Sequence, residues 1–256
     1  MLILGIESSC DDTAAAVLAD GRFMGMVVPQ YLFNGISSFP LMAVPFFILA
    51  AEIMSASGLT NSLMKFANDL VGHIRGGLGH VNVLMSMLFA GVSGSALADA
   101  AGPGAIEMSM MRKAGYDAPY AGALSAATAT IGPIIPPSIL MVIYAISDSR
   151  VTVGGLFLAG VAPGILLGLA LAGVIHWVSI KRGYLFRSKR PTLLGLARSF
   201  WHALPAMLLP FIIMFGILAG IFTPTEAAAV AVAYALVVGL FITGGLKWSS
   251  ILPVFI

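Results

Sequence analysis

Uncharged, mostly apolar stretches recur along this chain at residues 23–51, 76–98, 118–147, 151–180, 199–225 and 227–246, each bounded by an acid or a base. A helix needs about 20 apolar residues to cross the hydrocarbon core of a bilayer, so the pattern predicts a chain that crosses or enters a membrane several times. One block cannot be a single rod. Ala118 to Ser147 holds no Asp, Glu, Lys or Arg, yet its centre reads Gly132-Pro133-Ile134-Ile135-Pro136-Pro137-Ser138. Proline has no amide to donate and its ring collides with the preceding turn, so a helix broken at membrane depth is expected. Backbone groups freed there are tolerated only where protein or a watery cavity satisfies them, which marks the break as the lining of a polar path.

Charge sets the orientation, because short loops rich in Lys and Arg stay in the cytoplasm. The firmest marker is Lys181 to His202, with Lys181, Arg182, Arg187, Lys189, Arg190 and Arg198 and no acid. Counting back, 153–180 runs into that loop and 117–147 rises to an outer turn at Ser147-Asp148-Ser149-Arg150. The block at 77–111 is flanked by Arg75 and by Arg112-Lys113, both expected inside. A segment that starts and ends on one face is a re-entrant hairpin, here with its tip at Gly91-Val92-Ser93-Gly94-Ser95 and its return arm interrupted at Ala101-Gly102-Pro103-Gly104. Residues 39–56 would enter from outside. Residues 58–73 carry Leu59, Leu63, Phe66, Ala67 and Leu70 at helical spacing with Lys65 and Asp69 opposite, as suits a helix along the inner interface. Beyond the basic loop, 203–222 rises and 226–246 returns. The expected class is all-α: a polytopic membrane protein with a re-entrant helical hairpin and a proline-broken transmembrane helix.

Composition agrees. A mean hydropathy of +1.00 with 59% hydrophobic and 9% charged residues excludes an ordinary soluble domain. The net charge of +2 is scattered over loops, so nothing suggests a nucleic-acid partner. A single cysteine, Cys10, excludes an internal disulfide, and no Cys/His cluster has zinc spacing. A secretory leader is not expected, since Glu7, Asp11 and Asp12 stand where a basic segment would lie.

The residues that could carry chemistry gather at the tip and the break. Ser93, Gly94 and Ser95 offer two hydroxyls and a permissive backbone; hard oxygens of this kind suit sodium, while the competing reading is close helix packing. Asp99 is an intramembrane carboxylate and so a functional candidate, with an N-cap as its structural alternative. Prolines in the first turn of the outer half-helix would leave its amides facing the gap with partial positive charge, ready for an anion. Glu52 and Glu107 are expected to reach the interface from near helix ends. Thr223-Pro224-Thr225-Glu226 has the spacing of a capping box. The four histidines, His73, His80, His176 and His202, are expected at interfaces or in loops.

Two resemblances follow. Met1-Leu2-Ile3-Leu4-Gly5-Ile6-Glu7-Ser8-Ser9-Cys10-Asp11-Asp12-Thr13 resembles the start of the TsaD family, which installs threonylcarbamoyl on transfer RNA, but the match stops near Arg22 and that family's His-x-x-x-His motif is missing. Residues 1–22 are therefore expected to be a fused fragment, inactive alone; a TsaD-like transferase is the alternative reading of that end. From Phe23 to the C-terminus, Phe39-Pro40-Leu41, Pro45-Phe46-Phe47-Ile48-Leu49-Ala50, His80-Val81-Asn82-Val83, Phe89-Ala90-Gly91-Val92-Ser93-Gly94-Ser95-Ala96 with Ala98-Asp99, the Gly132–Ser138 run and Gly220-Ile221-Phe222-Thr223-Pro224-Thr225-Glu226-Ala227-Ala228-Ala229 are similar to the large permease subunit of tripartite ATP-independent periplasmic (TRAP) transporters, the DctM type. The resemblance implies a bacterial inner-membrane, elevator-type, sodium-coupled importer of organic acids such as C4-dicarboxylates or sialic acid, with no covalent chemistry and no cofactor beyond the coupling ion. It implies two protein partners, a small four-helix permease subunit and a periplasmic substrate-binding protein, besides membrane lipid. Sodium would fall on Ser93, Ser95, Gly132, Ile135 and Pro137. Substrate would lie beside it, near Ser93, Gly94, Ser95, Asp99, Gly132, Pro133, Pro136, Pro137 and Ser138. Residues 23–256 would be the first repeat and the start of the second of an inverted-repeat architecture, and the chain by itself is expected not to transport. A proton-coupled transporter of related build is the other alternative, requiring Asp99 or Glu52 to titrate.

Overall fold

The computed structural model describes residues 39–148, 150–184 and 190–246; the segment 1–22 lies outside them. All regular structure among these residues is helical. A 3-10 turn, Phe39–Met42, leads into α1 (Ala43–Ala56). Gly58, at φ 77°, swings the chain into α2 (Leu59–Val71), so that the pair is bent by 72°. The hairpin follows as α3 (Gly77–Ser93), a short α4 (Ala96–Ala101) and α5 (Pro103–Lys113). Its arms are held together, since α5 packs back along α3. Next come α6 (Ala118–Ala129) and α7 (Ile139–Ser147), with the proline-rich run between them outside any helix. The long α8 (Val153–Arg182) and α9 (Leu193–Leu218) precede α10 (Pro224–Val237), which continues as a π-helical turn, Val238–Ile242.

By length and apolarity α8, α9 and α10 with its π turn can each cross a membrane, and the bent α1–α2 pair can serve as a fourth crossing. The predicted all-helical, polytopic class is thus what the chain adopts. Inside lipid there is little hydrophobic gain in bringing helices together, so close packing of small residues does that work. The α1–α10 contact follows this rule: Ala43, Ala50 and Ala51 face Ala227, Ala228, Ala231 and Ala235 in one core, shared with Phe47, Leu209 and Ile213. A second core joins the hairpin to α6 and α8 through Leu78, Met111, Leu124, Ile131 and Ile175.

Two elements depart from expectation. The apolar stripe of α2 is buried against α9 and α3 instead of lying on headgroups, with Phe66 and Phe200 ring centroids 5.7 Å apart, and Leu70 is left out of it, 38% exposed. Helix α9 starts at Leu193, well inside the expected loop to residue 202, because the Thr192 hydroxyl accepts the Gly195 amide at 3.2 Å and caps a helix there.

Where α6 begins and α8 ends, aromatic and ionic contacts tie the two helices together. Tyr116, Tyr120 and Tyr184 stack, with centroids 4.4 Å apart for Tyr116–Tyr184 and 5.3 Å for Tyr120–Tyr184. Asp117 accepts hydrogen bonds from the Tyr184 hydroxyl at 2.8 Å and from the Arg182 guanidinium at 3.1 Å. On the far side of the bend, α8 presents Gly160, Gly164 and Gly168. A Cβ on these positions would run into Met141 and the Ile134 carbonyl, into Ile135, and into Met87 respectively. Bare backbone at every fourth residue lets the bend and α3 rest directly on α8.

Candidate functional site

The hairpin tip forms where α3 runs out. Gly94 terminates α3 at φ 59°, a left-handed conformation that costs a side-chain-bearing residue far more than glycine. Ser95 then adopts an extended backbone and starts α4, its hydroxyl accepting the Ala98 amide at 3.4 Å. The Ser93 hydroxyl, on a residue 1% exposed, accepts the Ser95 amide at 3.5 Å. Both serines therefore shape the turn as well as presenting oxygen to it.

The bend forms by a comparable route. After α6 the chain makes tight turns at 131–135, with the Ile134 and Ile135 amides both donating to the Ile131 carbonyl. Pro136 and Pro137 follow, joined by a cis peptide bond. Ser138, fully buried, closes the run: its hydroxyl donates to the Pro133 carbonyl at 2.6 Å and accepts the Met141 amide at 3.4 Å as the N-cap of α7. The prolines thus precede α7 and do not occupy its first turn as expected; a serine cap, which satisfies one of the free amides, wins that place.

Tip and bend meet. The Ile139 amide, at the first turn of α7, donates to the Gly94 carbonyl at 3.4 Å. A Cβ built on Gly94 would lie 2.5 Å from the Pro137 carbonyl oxygen and 3.0 Å from the Ser138 Cα, and one on Gly132 would lie 3.2 Å from the Ser95 carbonyl oxygen. A Cβ on Gly91 would stand 3.7 Å from the Pro136 carbonyl oxygen. Hence Ser93, Gly94, Ser95, Gly132, Pro136, Pro137 and Ser138 share one locus, where three serines and several main-chain carbonyls are brought together within the protein. Pro133 closes the bend through its bond to Ser138, and the Ile135 side chain turns away toward Gly164 of α8.

Asp99 is the outlier among the predicted residues. Its amide bonds to the Ser95 carbonyl at 3.1 Å, but its carboxylate, 1% exposed, faces Ser86 and Glu107. Glu107 corrects the expectation of an interfacial side chain: it is 3% exposed, midway along α5. Glu52 is exposed as expected. His80 is not interfacial either; it is buried in α3 with its ring centroid 5.8 Å from that of His176. Among the described residues no group of three or more His, Cys, Asp or Glu could hold a metal ion. The predicted capping box at Thr223 is present, with the Thr223 amide donating to the Glu226 carboxylate at 2.8 Å.

A polar relay missed in the sequence runs beside the hairpin. The Thr128 hydroxyl donates to the Asn82 side-chain oxygen, the Asn82 amide donates to the Ser125 hydroxyl at 3.1 Å, and Ser125 donates to the Gly104 carbonyl at 3.5 Å. All three side chains are buried, and the relay joins α3 and α6 to the start of α5. The signal was there in Ser125 and Thr128, spaced to share one face of an otherwise apolar helix with Asn82 as their partner.

The profile of the family described as "Tripartite ATP-independent periplasmic transporter, DctM component" matches residues 9–256 of the chain, beginning inside the 1–22 segment expected to be a separate fragment. Among curated relatives, the sialic acid TRAP transporter large permease protein SiaM of Vibrio cholerae is 47% identical over 213 residues, covering 82% of this chain and 49% of the relative. The sialic acid TRAP transporter permease protein SiaT of Haemophilus influenzae is 46% identical over 213 residues, or 83% of this chain and 34% of the relative. The C4-dicarboxylate TRAP transporter large permease protein DctM of Pseudomonas aeruginosa is 43% identical over 220 residues, or 86% of this chain and 51% of the relative. The chain spans between a third and about half the length of these relatives.

Proposed function

Since the chain belongs to the DctM component family of tripartite ATP-independent periplasmic transporters, a transport family and not an enzyme family, we propose that it is the permease part of a sodium-coupled importer of organic acids in a bacterial inner membrane. The substrate is a carboxylate of the C4-dicarboxylate or sialic acid kind, as the names of its relatives suggest. A small membrane subunit and a periplasmic binding protein complete the transporter.

One observation carries this reading: the serine tip is seated in the triple-proline bend, linked by the 3.4 Å bond from the Ile139 amide to the Gly94 carbonyl. Discontinuous helices that meet inside a bilayer offer carbonyls to a cation and amides to an anion in one place. Sodium would take oxygens from Ser93, Ser95, Gly132, Ile135 and Pro137. The acid would lie alongside, near Gly94, Pro133, Pro136 and Ser138. Asp99, whose carboxylate faces Ser86 and Glu107, contributes through the fold of α4.

Proteoliposomes holding the complete transporter test this. Uptake of a radiolabelled organic acid should fall to background when choline replaces sodium, and Ser95→Ala should raise the sodium concentration needed for half-maximal uptake by about tenfold, the equivalent of about 1.4 kcal/mol, as expected for one lost ligand. Uptake that follows a proton gradient and ignores sodium would refute the proposal.

A further inference from the structure

Away from the tip, the hairpin buries two acids with nothing to balance them. Asp99 of α4 is 1% exposed and Glu107 of α5 is 3% exposed, and neither oxygen of either carboxylate accepts a hydrogen bond. A Cβ built on Gly104 would stand 3.0 Å from the Asp99 carbonyl oxygen, and Glu107 follows Gly104 by one turn of α5, so both acids lie where α4 meets α5, with the Ser86 hydroxyl of α3, on a residue 2% exposed, facing Asp99. No Lys, Arg or His bears on either carboxylate. The basic residues of α5, Arg112 and Lys113, are exposed at its far end, and the side-chain ion pairs among the described residues stand elsewhere, at Asp148–Arg150 and Asp117–Arg182. The neighbouring polar relay is spent on itself, Asn82 and Ser125 being committed to Thr128 and the Gly104 carbonyl.

Burying one unpaired carboxylate is costly, and a second beside it adds repulsion. A cation between them removes both penalties. Five side-chain oxygens are within the cluster, two on each acid and one on Ser86. That falls short of the six to eight that calcium takes and of the octahedron that magnesium demands. Alkali cations accept hard oxygens in looser sets. We propose that Asp99, Glu107 and Ser86 hold one alkali-metal cation, sodium being the fitting size, at a site separate from the serine tip. The site joins the three helices of the hairpin, so its occupancy braces α4 and α5 against α3.

Thermal unfolding of the purified chain in detergent, with sodium exchanged for choline at constant ionic strength, is the test. Wild-type Tm should rise with sodium. Glu107→Gln and Asp99→Asn should each raise Tm in choline and lose most of the sodium-induced rise that persists in Ser95→Ala. If Ser95→Ala responds to sodium as wild type does, the tip reading fails while this site stands. The proposal is overturned if both amide variants keep the full wild-type sodium response. It is equally overturned if acidification in choline lifts wild-type Tm to its sodium-saturated value and sodium adds nothing, since the pair then holds a proton. Should the amide variants not fold, labelling of wild-type Glu107 by an apolar carbodiimide, read by mass spectrometry, decides: sodium should suppress it, and labelling indifferent to sodium overturns the site.

Discussion

Gly94 shows how much can rest on one missing side chain. Its φ of 59° alone would cost alanine about 1–2 kcal/mol, and the added methyl would press on the Pro137 carbonyl and the Ser138 Cα, both backbone. Gly94→Ala should therefore lower stability in detergent by at least that amount, measured by chemical unfolding, with the tip displaced from the bend. Just before α6, burial pushes the Tyr116 hydroxyl up to about 12, with ionisation of Tyr120 and Tyr184 opposing it further. The folded chain then keeps a proton that the unfolded chain gives up near the ordinary tyrosine value of about 10. Stability should be intact below that pH and fall as pH rises from there toward about 12. Tyr116→Phe should flatten this alkaline slope in a series of melting curves. Among single residues, the glycines and serines of the tip and the prolines of the bend were legible in the sequence because each is a local backbone device. Glu107 was not: along the chain it precedes Arg112 and Lys113 as an interfacial acid would, and only the return of α5 onto α3 buries it.

At the scale of elements, the link between α6 and α7 is short, irregular and held by a single side chain. Ser138 both caps α7 and ties down the Pro133 carbonyl. Ser138→Ala should cost about 1–2 kcal/mol, from the lost cap and an orphaned buried carbonyl, and hydrogen exchange should rise in the first turn of α7 while α8 is unchanged. The broken helix and the hairpin could be foreseen because prolines interrupt an uncharged run and basic residues bracket the hairpin on both sides. The early start of α9 could not be read from charge, since the basic stretch marks the side of the membrane and says nothing of the cap at Thr192. Likewise the stripe on α2 announced an amphipathic helix, but periodicity alone does not distinguish a headgroup layer from the flank of α9.

Across the whole molecule, large apolar side chains point outward along α8 and α9. Leu166, Trp177, Trp201, Phe211 and Phe215 are each more than 60% exposed, a surface that water does not tolerate at this extent. The chain should stay with the membrane pellet through an alkaline carbonate wash and be released by detergent; recovery in the carbonate supernatant would contradict the assigned class. The division of the interior into two cores has its own meaning. One is built on α1, α2, α9 and α10 and takes in Met85, Phe89 and Val92 of α3, while the other gathers both hairpin arms, α6 and α8, so α3 reaches into both and couples the tip to each. Along α8, Gly160, Gly164 and Gly168 make a row of notches filled by Met141 and the Ile134 carbonyl, by Ile135 and by Met87. Helices that mesh ridge into groove resist shear, because each side chain must climb over its neighbour. A row of filled notches one helical turn apart therefore fixes the height at which the bend and α3 lie against α8, and a bulkier residue at any of the three should prise them away from it.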